Sequence, residues 1–395
     1  MYHMRKKAEN IRSQLATWRE TLHRHPELSF KEFWTTEYLT KELAAMGIEI
    51  VDWGGETGVV GLLHGPRPGK CVALRADIDA LPIEEKSGVP FTSENQGVMH
   101  ACGHDSHMAA LLGAARLLAE HKNDLKGTVK FIFQPAEEIF SGGALMVKKG
   151  VLENPHVDFI FGQHNNCEYP AGKGLISSGS IMACSAFISI TVHGKGGHGA
   201  VPHLAHDPVV AAAAIIASLQ SIVSREMRPT DAVVVTIGSI HGGTVANVIP
   251  DTVTMQGTVR CFDLELFNEL EDRLRRIIDN TAAAYRVTAD FEYNKLVPNV
   301  NNPPELTEWM RQGPMKEVYG EENILPCTPS MGGEDFACYM AETPGIFSWF
   351  GSGNPDKGIK FSWHNPAFNV DNESLVYGAA LYAQVALDWL AKDAG

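Results

Sequence analysis

The sequence contains no long apolar run. No segment approaches the roughly 20 consecutive apolar residues that a membrane-spanning helix needs, and the polar, basic residues 1–7 are followed by a charged helical pattern at 8–20. A signal peptide requires an apolar stretch behind its basic start, so we expect none here. Repeats of fixed period and low-complexity tracts are also missing from the sequence. These absences favour a soluble globular protein without a membrane partner.

Positive charge and regularly spaced cysteines are scarce as well. Lysine and arginine number 33 against 47 aspartate and glutamate, which gives a formal charge of −14. An acidic surface repels phosphate backbones and anionic lipids, so nucleic-acid partners are not expected. The seven cysteines are an odd number without a regular spacing. They argue against a disulfide framework and for a reducing compartment, and we predict a cytoplasmic location.

The first half of the chain has the pattern of an α/β protein. Apolar runs of strand length occur at 71–74, 129–133 and 157–161, and an Ala/Leu-rich helical stretch covers about 105–121. Buried strands separated by helices predict a mainly parallel sheet with helices on its faces. Polar, metal-capable residues follow each run, at 75–79, 134–138 and 162–164. Because open α/β sheets place their chemistry beyond the carboxyl ends of the strands, we expect these residues to converge at one edge.

The middle of the chain predicts a second, inserted domain. Its strand-like and helix-like segments follow the order β-α-β-β-α-β, which is that of a ferredoxin-like α+β unit. Linker-like residues lie on both sides, at 177–180 and 297–304. With 395 residues, two domains are the natural expectation. We therefore assign residues 1–182 and 296–395 to a catalytic domain and 183–295 to a lid or dimerisation domain.

Five side chains form a candidate metal-binding set that offers one sulfur, three imidazoles and one carboxylate: Cys102, His104, Glu138, His164 and His364. Five ligands are more than a closed tetrahedral site holds, and they suit two metals with a shared bridging group. Two ions about 3.5–4 Å apart can hold a hydroxide between them and polarise a carbonyl. If 137–138 lies at a strand end, neighbouring side chains point to opposite sides, so Glu137 could face the water as a base while Glu138 binds metal.

Each of these residues also has an ordinary structural interpretation. Cys102 could be a buried cysteine beside a helix-capping histidine, the glutamate pair could be solvated surface, and His164 could be a core histidine. Cys102 could instead be a nucleophile with His104 as its base. Residues two apart rarely align for that proton transfer, and this hypothesis leaves three of the candidate ligands unexplained.

At these residues the chain resembles the superfamily of two-metal aminoacylases and carboxypeptidases. Within it, the chain resembles the branch of hippurate hydrolases, N-acyl-amino-acid amidohydrolases and plant auxin-conjugate hydrolases. The similar segments run through almost the whole chain in order, at 23–29, 75–82, 99–107, 133–138, 194–203, 242–251, 331–336 and 364–368.

The resemblance implies a role for each candidate residue. Cys102 would bridge two divalent ions, with His104, Glu138, His164 and His364 as the other ligands and Glu137 as general acid and base. His198 would polarise the scissile carbonyl, often across a homodimer, while Asn247 and Arg260 would hold the substrate. Distant relatives carry a histidine ligand where Arg75 stands, so His104 would replace it and Asp77 and Asp79 would orient the ligands. These implied residues all occur at the matching positions.

The resemblance also implies the reaction. The enzyme would hydrolyse small N-acyl amino acids, acetyl or benzoyl among them, using manganese, zinc, nickel or cobalt. A dipeptidase or carboxypeptidase activity, or deacetylation of N-acetyl-diaminopimelate, is compatible with the same motifs. A relative that binds metal without catalysis is a further alternative. Retention of both Glu137 and Glu138 argues against it, since a binding protein has no need of the base.

Overall fold

The computed structural model describes residues 3–392. The chain divides into two compact units, the first containing residues 3–179, 301–328 and 335–392 among those described, and the second containing residues 180–300 and 329–334. Each unit has its own buried apolar core.

The helices and strands are numbered along the chain. Up to residue 175 they are α1 Met4–Asn10, α2 Arg12–Arg24, α3 Phe33–Ala45, β1 Glu49–Val51, β2 Val59–His64, β3 Arg67–Asp77, α4 His104–Glu120, β4 Lys126–Gln134, α5 Gly142–Lys148, β5 Phe159–Pro170 and β6 Gly174–Leu175. The middle elements are β7 Gly179–Met182, β8 Cys184–His193, β9 Gly197–His198, α6 Pro208–Ser221, β10 Val233–His241, β11 Val248–Ile249, β12 Thr252–Cys261, α7 Leu264–Ala284 and β13 Thr288–Val297. The last are β14 Val300–Asn302, α8 Pro304–Met310, α9 Lys316–Tyr319, β15 Ile324–Leu325, α10 Ala337–Met340, β16 Gly345–Gly353 and α11 Glu373–Ala391.

The first unit is built on an eight-stranded sheet in the order β1-β2-β4-β3-β5-β16-β6-β15. Its central strands β4, β3, β5 and β16 are parallel to one another, and antiparallel pairs join β1 to β2, β2 to β4, and β16 to β6. The predicted α/β class with a mainly parallel sheet is confirmed. Parallel strands buried on both faces read as continuous apolar runs, which is why the sequence pattern identified the three central ones.

Helix α4 lies against the sheet and is almost wholly buried, as its Ala/Leu-rich sequence predicted. It begins at His104, directly after Gly103, whose φ of +93° favours glycine. A Cβ atom at Gly103 would lie 2.3 Å from the side-chain nitrogen of Asn165. Glycine at this position therefore lets the helix start close to strand β5.

Strand β5 differs from its prediction. The apolar run suggested a strand ending at 161, with His164 beyond its end, but β5 continues to Pro170. The reason is long-range pairing, because β16 lies parallel to β5 and places Trp349 opposite His164. His164 is therefore fixed within a paired strand and not in a loop after it.

The second unit contains a four-stranded antiparallel sheet in the order β10-β12-β8-β13. Helices α6 and α7 contribute their buried apolar residues to the same core as the strands. The elements follow in the order β8, α6, β10, β12, α7, β13, which is the β-α-β-β-α-β order of a ferredoxin-like unit.

One helical stretch among the described residues, Pro208–Glu226, is long and apolar enough to cross a membrane by length and composition alone. Its buried residues include Ala212, Ile215 and Leu219, which belong to the core of the second unit. Since core helices pass the same test, this single stretch is weak evidence for a membrane span.

Candidate metal centre

Cys102 and His104 lie where the loop after β3 enters helix α4. Both side chains are buried. The Sγ atom of Cys102 lies 3.4 Å from Nε2 of His164 on β5. The imidazole of His104 is held through Nδ1, which lies 2.9 Å from the carbonyl oxygen of Asp79. That contact turns Nε2 of His104 toward the interior of the site.

Glu137 and Glu138 follow β4 in a tight turn. Their backbone amides donate to the two carboxylate oxygens of Asp79, each at 3.0 Å. The prediction that this pair ends a strand with its side chains on opposite sides is wrong, because β4 ends at Gln134. Ala136 has a φ of +55°, so the chain leaves the strand before the pair. One carboxylate oxygen of each lies within 4.8 Å of the other and of a ring nitrogen of His104.

The candidate ligands form two groups that share one sulfur. The first group joins Cys102 to His104 and His164, and the second joins Cys102 to Glu138 and His364. Within each group the ligand atoms lie within 4.8 Å of one another. His364 is the most exposed member, and its Nε2 lies 3.4 Å from Oε2 of Glu138. All five residues that the sequence suggested as metal ligands thus come together in the first unit.

The donor set fits a pair of divalent cations. Nε2 of His104 and Oε1 of Glu138 are buried, have no hydrogen-bond partner within the described chain and lie 3.8 Å apart. Buried polar atoms are normally satisfied, and each one left without a partner costs about 1–3 kcal/mol. Thiolate, imidazole and carboxylate together match the preferences of zinc and of other first-row metals. A metal would satisfy both atoms.

The carboxylates around His104 shift the acid–base properties of the metal-free site. Burial alone would lower the pKa of His104, but Asp77, Asp79 and Glu138 raise it to about 10. Burial raises the pKa of Glu138 to about 7. Burial, together with the charges of Glu138 and Glu137, raises the pKa of Cys102 well above its ordinary value. Cys102 and His104 therefore carry protons in the metal-free site, and metal binding must displace them.

A cysteine nucleophile does not fit this arrangement. A thiol whose pKa is raised by burial and neighbouring carboxylates is a poor source of thiolate. The imidazole that contacts the sulfur is that of His164, not that of the suggested base His104. Burial and the neighbouring His107 lower the pKa of His164 well below its ordinary value.

A buried hydrogen-bond network behind the ligands was only partly foreseen. Asp77 accepts from Nη1 of Arg75 at 2.8 Å and bonds Nδ1 of His107 at 2.6 Å. Nε2 of His107 in turn accepts the backbone amide of Asn165, next to the candidate ligand His164. His107 is fully buried. In the sequence, its position one helical turn after His104 indicates that the two side chains lie on the same face of the helix.

Arg75 extends this network to the far end of β4. Its Nε donates to Gln134 and its Nη2 to Asp335, both at 2.8 Å. Asp335 also accepts the amide of Gly143 at the start of α5. Asp335 belongs to the 331–336 segment of the resemblance, to which the sequence alone assigned no role.

The N-terminal histidines have structural partners. His25 stacks on Trp34 with ring centroids 4.0 Å apart. His23 is more than a packing residue, because its buried ring lies between Asp105 at 2.8 Å and Glu85 at 3.1 Å. The charge of Asp105 raises the pKa of His23 against the lowering effect of burial.

Three further candidates belong to the second unit. His198 is exposed on β9, opposite Val248 of β11, and its Nδ1 accepts the amide of Ala200 at 3.0 Å. The carbonyl oxygen of Asn247 accepts a hydrogen bond from the amide of Gly199 at 2.8 Å, so the backbone at Asn247 lies beside the end of strand β9, which contains His198. Arg260 lies on β12 and is half-buried, not on the open surface.

Comparison with known proteins identifies relatives over the whole chain. Residues 73–388 match the model of peptidase family M20/M25/M40. N-acetyl-L-cysteine deacetylase of Bacillus subtilis is 40% identical over 367 residues, covering 93% of this chain and 86% of that protein. Thermostable carboxypeptidase 2 of Saccharolobus solfataricus is 38% identical over 394 residues, covering 98% and 99%. A crystal structure described as a dinuclear metal binding peptidase from the M20 family of Bacillus subtilis has a TM-score of 0.86 at 37% identity, covering 97% and 99%.

Proposed function

The chain belongs to peptidase family M20/M25/M40, and from this premise we propose that it is a metal-dependent amidohydrolase of small N-acyl amino acids. The observation that carries the proposal is that Cys102 belongs to two groups of ligand atoms at once. A thiolate shared in this way suits a pair of ions. A relative named for its action on N-acetyl-L-cysteine supports the substrate class.

Five side chains of the first unit would hold the two ions: Cys102 as the bridge, with His104, His164, Glu138 and His364. Bound there, divalent ions would lower the pKa of a water and polarise a carbonyl. Zinc, manganese, nickel and cobalt all suit such ligands. Asp77 and Asp79 would orient the imidazole of His104, which lies 3.8 Å from a carboxylate oxygen of Asp77 and bonds the carbonyl of Asp79.

Glu137 would move the proton. Its carboxylate is buried, and one of its oxygens lies within 4.8 Å of a ring nitrogen of His104 and of a carboxylate oxygen of Glu138, from where it would reach a water held at the site. It would accept a proton as the water oxygen adds to the carbonyl carbon. It would then deliver that proton to the amide nitrogen as the carbon–nitrogen bond breaks. The products are a carboxylic acid and a free amino acid.

The second unit would contribute substrate contacts. His198 presents an exposed imidazole that could donate to the developing oxyanion. Asn247 and Arg260 would hold the substrate, Arg260 through a guanidinium suited to a carboxylate. We further propose a homodimer and a cytoplasmic location. The cytoplasmic location is supported by the seven cysteines, which form no disulfide in the described chain.

The test combines metal analysis with turnover. Protein purified without chelator should contain about two metals per chain, and metal-loaded protein should release free amino acid from N-acetyl and N-benzoyl amino acids. Glu137→Gln should lower kcat by about 10²–10⁴-fold with its metal content retained. Glu305→Gln, an exposed glutamate on α8, is the matched control and should behave as wild type. A fully active Glu137→Gln enzyme would show that the assigned base is wrong.

Peptide hydrolysis is the second candidate, supported by the relative named a carboxypeptidase. The same site would suit a peptide bond, because a peptide bond and an acyl amide are both secondary amides next to a carboxylate-bearing residue. Comparing kcat/KM for N-acetyl amino acids, dipeptides and N-blocked dipeptides separates the candidates. A preference for peptides of at least tenfold would favour the peptidase.

A further inference from the structure

Glu32 is a buried carboxyl that the proposed chemistry does not use. It lies in the turn between α2 and α3, is fully buried and directs Oε1 at the backbone amide of Ala136. That amide donates to Oε1 at 2.9 Å. Ala136 is the residue immediately before the proposed base Glu137, so the contact lies one peptide from the reacting carboxylate.

Three consecutive amides of this turn are held by carboxylates. Ala136 donates to Glu32, while Glu137 and Glu138 donate to Asp79. The backbone needs this support, because Ala136 has a φ of +55°, a conformation that costs an L-residue about 1–2 kcal/mol. Such conformations persist where several contacts fix them together, and they occur often at functional sites.

The N-terminal segment that includes residues 23–29 supplies this support. Ser29 donates its hydroxyl to Asp79 at 2.7 Å, so the turn that carries Glu32 also touches the second carboxylate. Glu27 fixes the turn itself by accepting the amides of Trp34 and Thr35 at the start of α3. Hydrogen bonds therefore connect the segment 23–29, and the residues just after it, to the turn that carries Glu137.

We propose that Glu32 is a positioning residue for the base. By holding the Ala136 amide it fixes the direction in which the Glu137 side chain leaves the backbone. This inference rests on the proposed function for its kinetic consequence, since it acts through Glu137. A displacement of about 1 Å at a reacting group costs on the order of 10²-fold in rate.

The kinetic test is a double-mutant cycle between Glu32 and Glu137 on the metal-loaded enzyme. Glu32→Ala should lower kcat by about 10–100-fold with KM changed less than about twofold. Glu32→Gln, whose amide oxygen can accept the same hydrogen bond, should recover kcat to within about threefold. In a Glu137→Gln background, Glu32→Ala should have no further effect, because residues that act as one unit are non-additive.

Amide hydrogen exchange supplies a readout that does not depend on turnover. The peptide covering 135–142 should exchange at least tenfold faster in Glu32→Ala and at the wild-type rate in Glu32→Gln. Glu37→Ala, an exposed glutamate on α3, is the control and should change neither exchange nor kcat. If Glu32→Ala does not fold, Glu32→Asp replaces it, because the shorter side chain withdraws the carboxyl group from the amide while keeping an acidic group at this position.

The outcomes separate the two proposals. Unchanged exchange, unchanged kcat in Glu32→Ala, or a full additional loss in the Glu137→Gln background would each overturn the positioning role. A wild-type enzyme that hydrolyses no N-acyl amino acid or peptide when metal-loaded would overturn the proposed function instead. Loss of metal equal to the loss of activity in Glu32→Ala would also contradict positioning of the base, since metal binding should survive that change.

Discussion

Replacing Glu32 by glutamine should change how stability depends on pH. Burial, reinforced by the charge of Asp79, raises the pKa of Glu32 from 4.5 to about 7 in the folded protein. An acid with a raised folded pKa stabilises the fold fully below its unfolded pKa. That stability is lost as the pH rises through the folded pKa, because the folded state must then ionise a buried group. The wild type should therefore lose stability relative to Glu32→Gln between pH 5 and pH 8.

The size of the effect follows from the shift. A pKa difference of about 2.5 units, at about 1.4 kcal/mol per unit, corresponds to roughly 3–4 kcal/mol in total. Integrated between pH 5 and pH 8, the change is roughly 2–3 kcal/mol. Glutamine carries no titratable proton, so the difference between the two proteins isolates residue 32 from other groups that titrate in this range, Glu138 among them.

The assay is urea unfolding of both proteins at several pH values, with a common metal concentration. Glu37→Gln on the exposed face of α3 serves as the control and should run parallel to wild type. Parallel profiles for wild type and Glu32→Gln would refute the argument. They would mean that Glu32 does not stay neutral in the folded protein and that burial does not govern its ionisation.

Three more changes test the metal centre. Cys102→Ala should lose both metals, whereas Cys102→Asp should retain them because a carboxylate can also bridge two ions; elemental analysis of the two variants decides this. Asp77→Asn should weaken metal affinity by about 10–100-fold, measured by competition with a chelator, since it replaces the carboxylate that bonds His107 and Arg75. Metal affinity should also fall steadily as the pH is lowered below about 10, because the carboxylates around His104 raise its pKa to about 10 and the metal must displace that proton. A pH-independent affinity would contradict the described electrostatics.

The parts of the fold that the sequence predicted are those with strong local patterns. Apolar residues recur with a helical period of 3.6 or form a continuous run in helix α4, strands β3 and β4 and the amphipathic helix α7, and these residues are buried. Gly47 follows the end of α3 with a φ of +75°, a conformation that favours glycine after a helix. The extension of β5 was not predictable in this way, because it depends on a partner strand far away in the sequence.

The residues of the site likewise divide into those that lie in a recognisable sequence pattern and those that do not. The five candidate ligands stand in recognisable motifs, and the structure brings them together in two groups that share Cys102. Their supporting residues carry no such pattern. Glu32 is one glutamate among many in the sequence, and only the folded turn shows that its carboxyl meets the amide of Ala136. The geometry of Glu137 and Glu138 depended on the positive φ of Ala136, which nothing in an alanine predicts.

The position of β16 has a consequence for the newly made chain. Strand β16 pairs with β5 yet follows it by roughly 175 residues in the sequence. Protein synthesis adds about 5–20 residues per second, so β5 remains without this partner strand for on the order of 10–30 seconds. During that interval an apolar strand containing Phe159, Ile160 and Phe161 is an open sheet edge, which attracts other chains. The nascent protein should therefore depend on holdase chaperones, and truncations that end before residue 345 should aggregate.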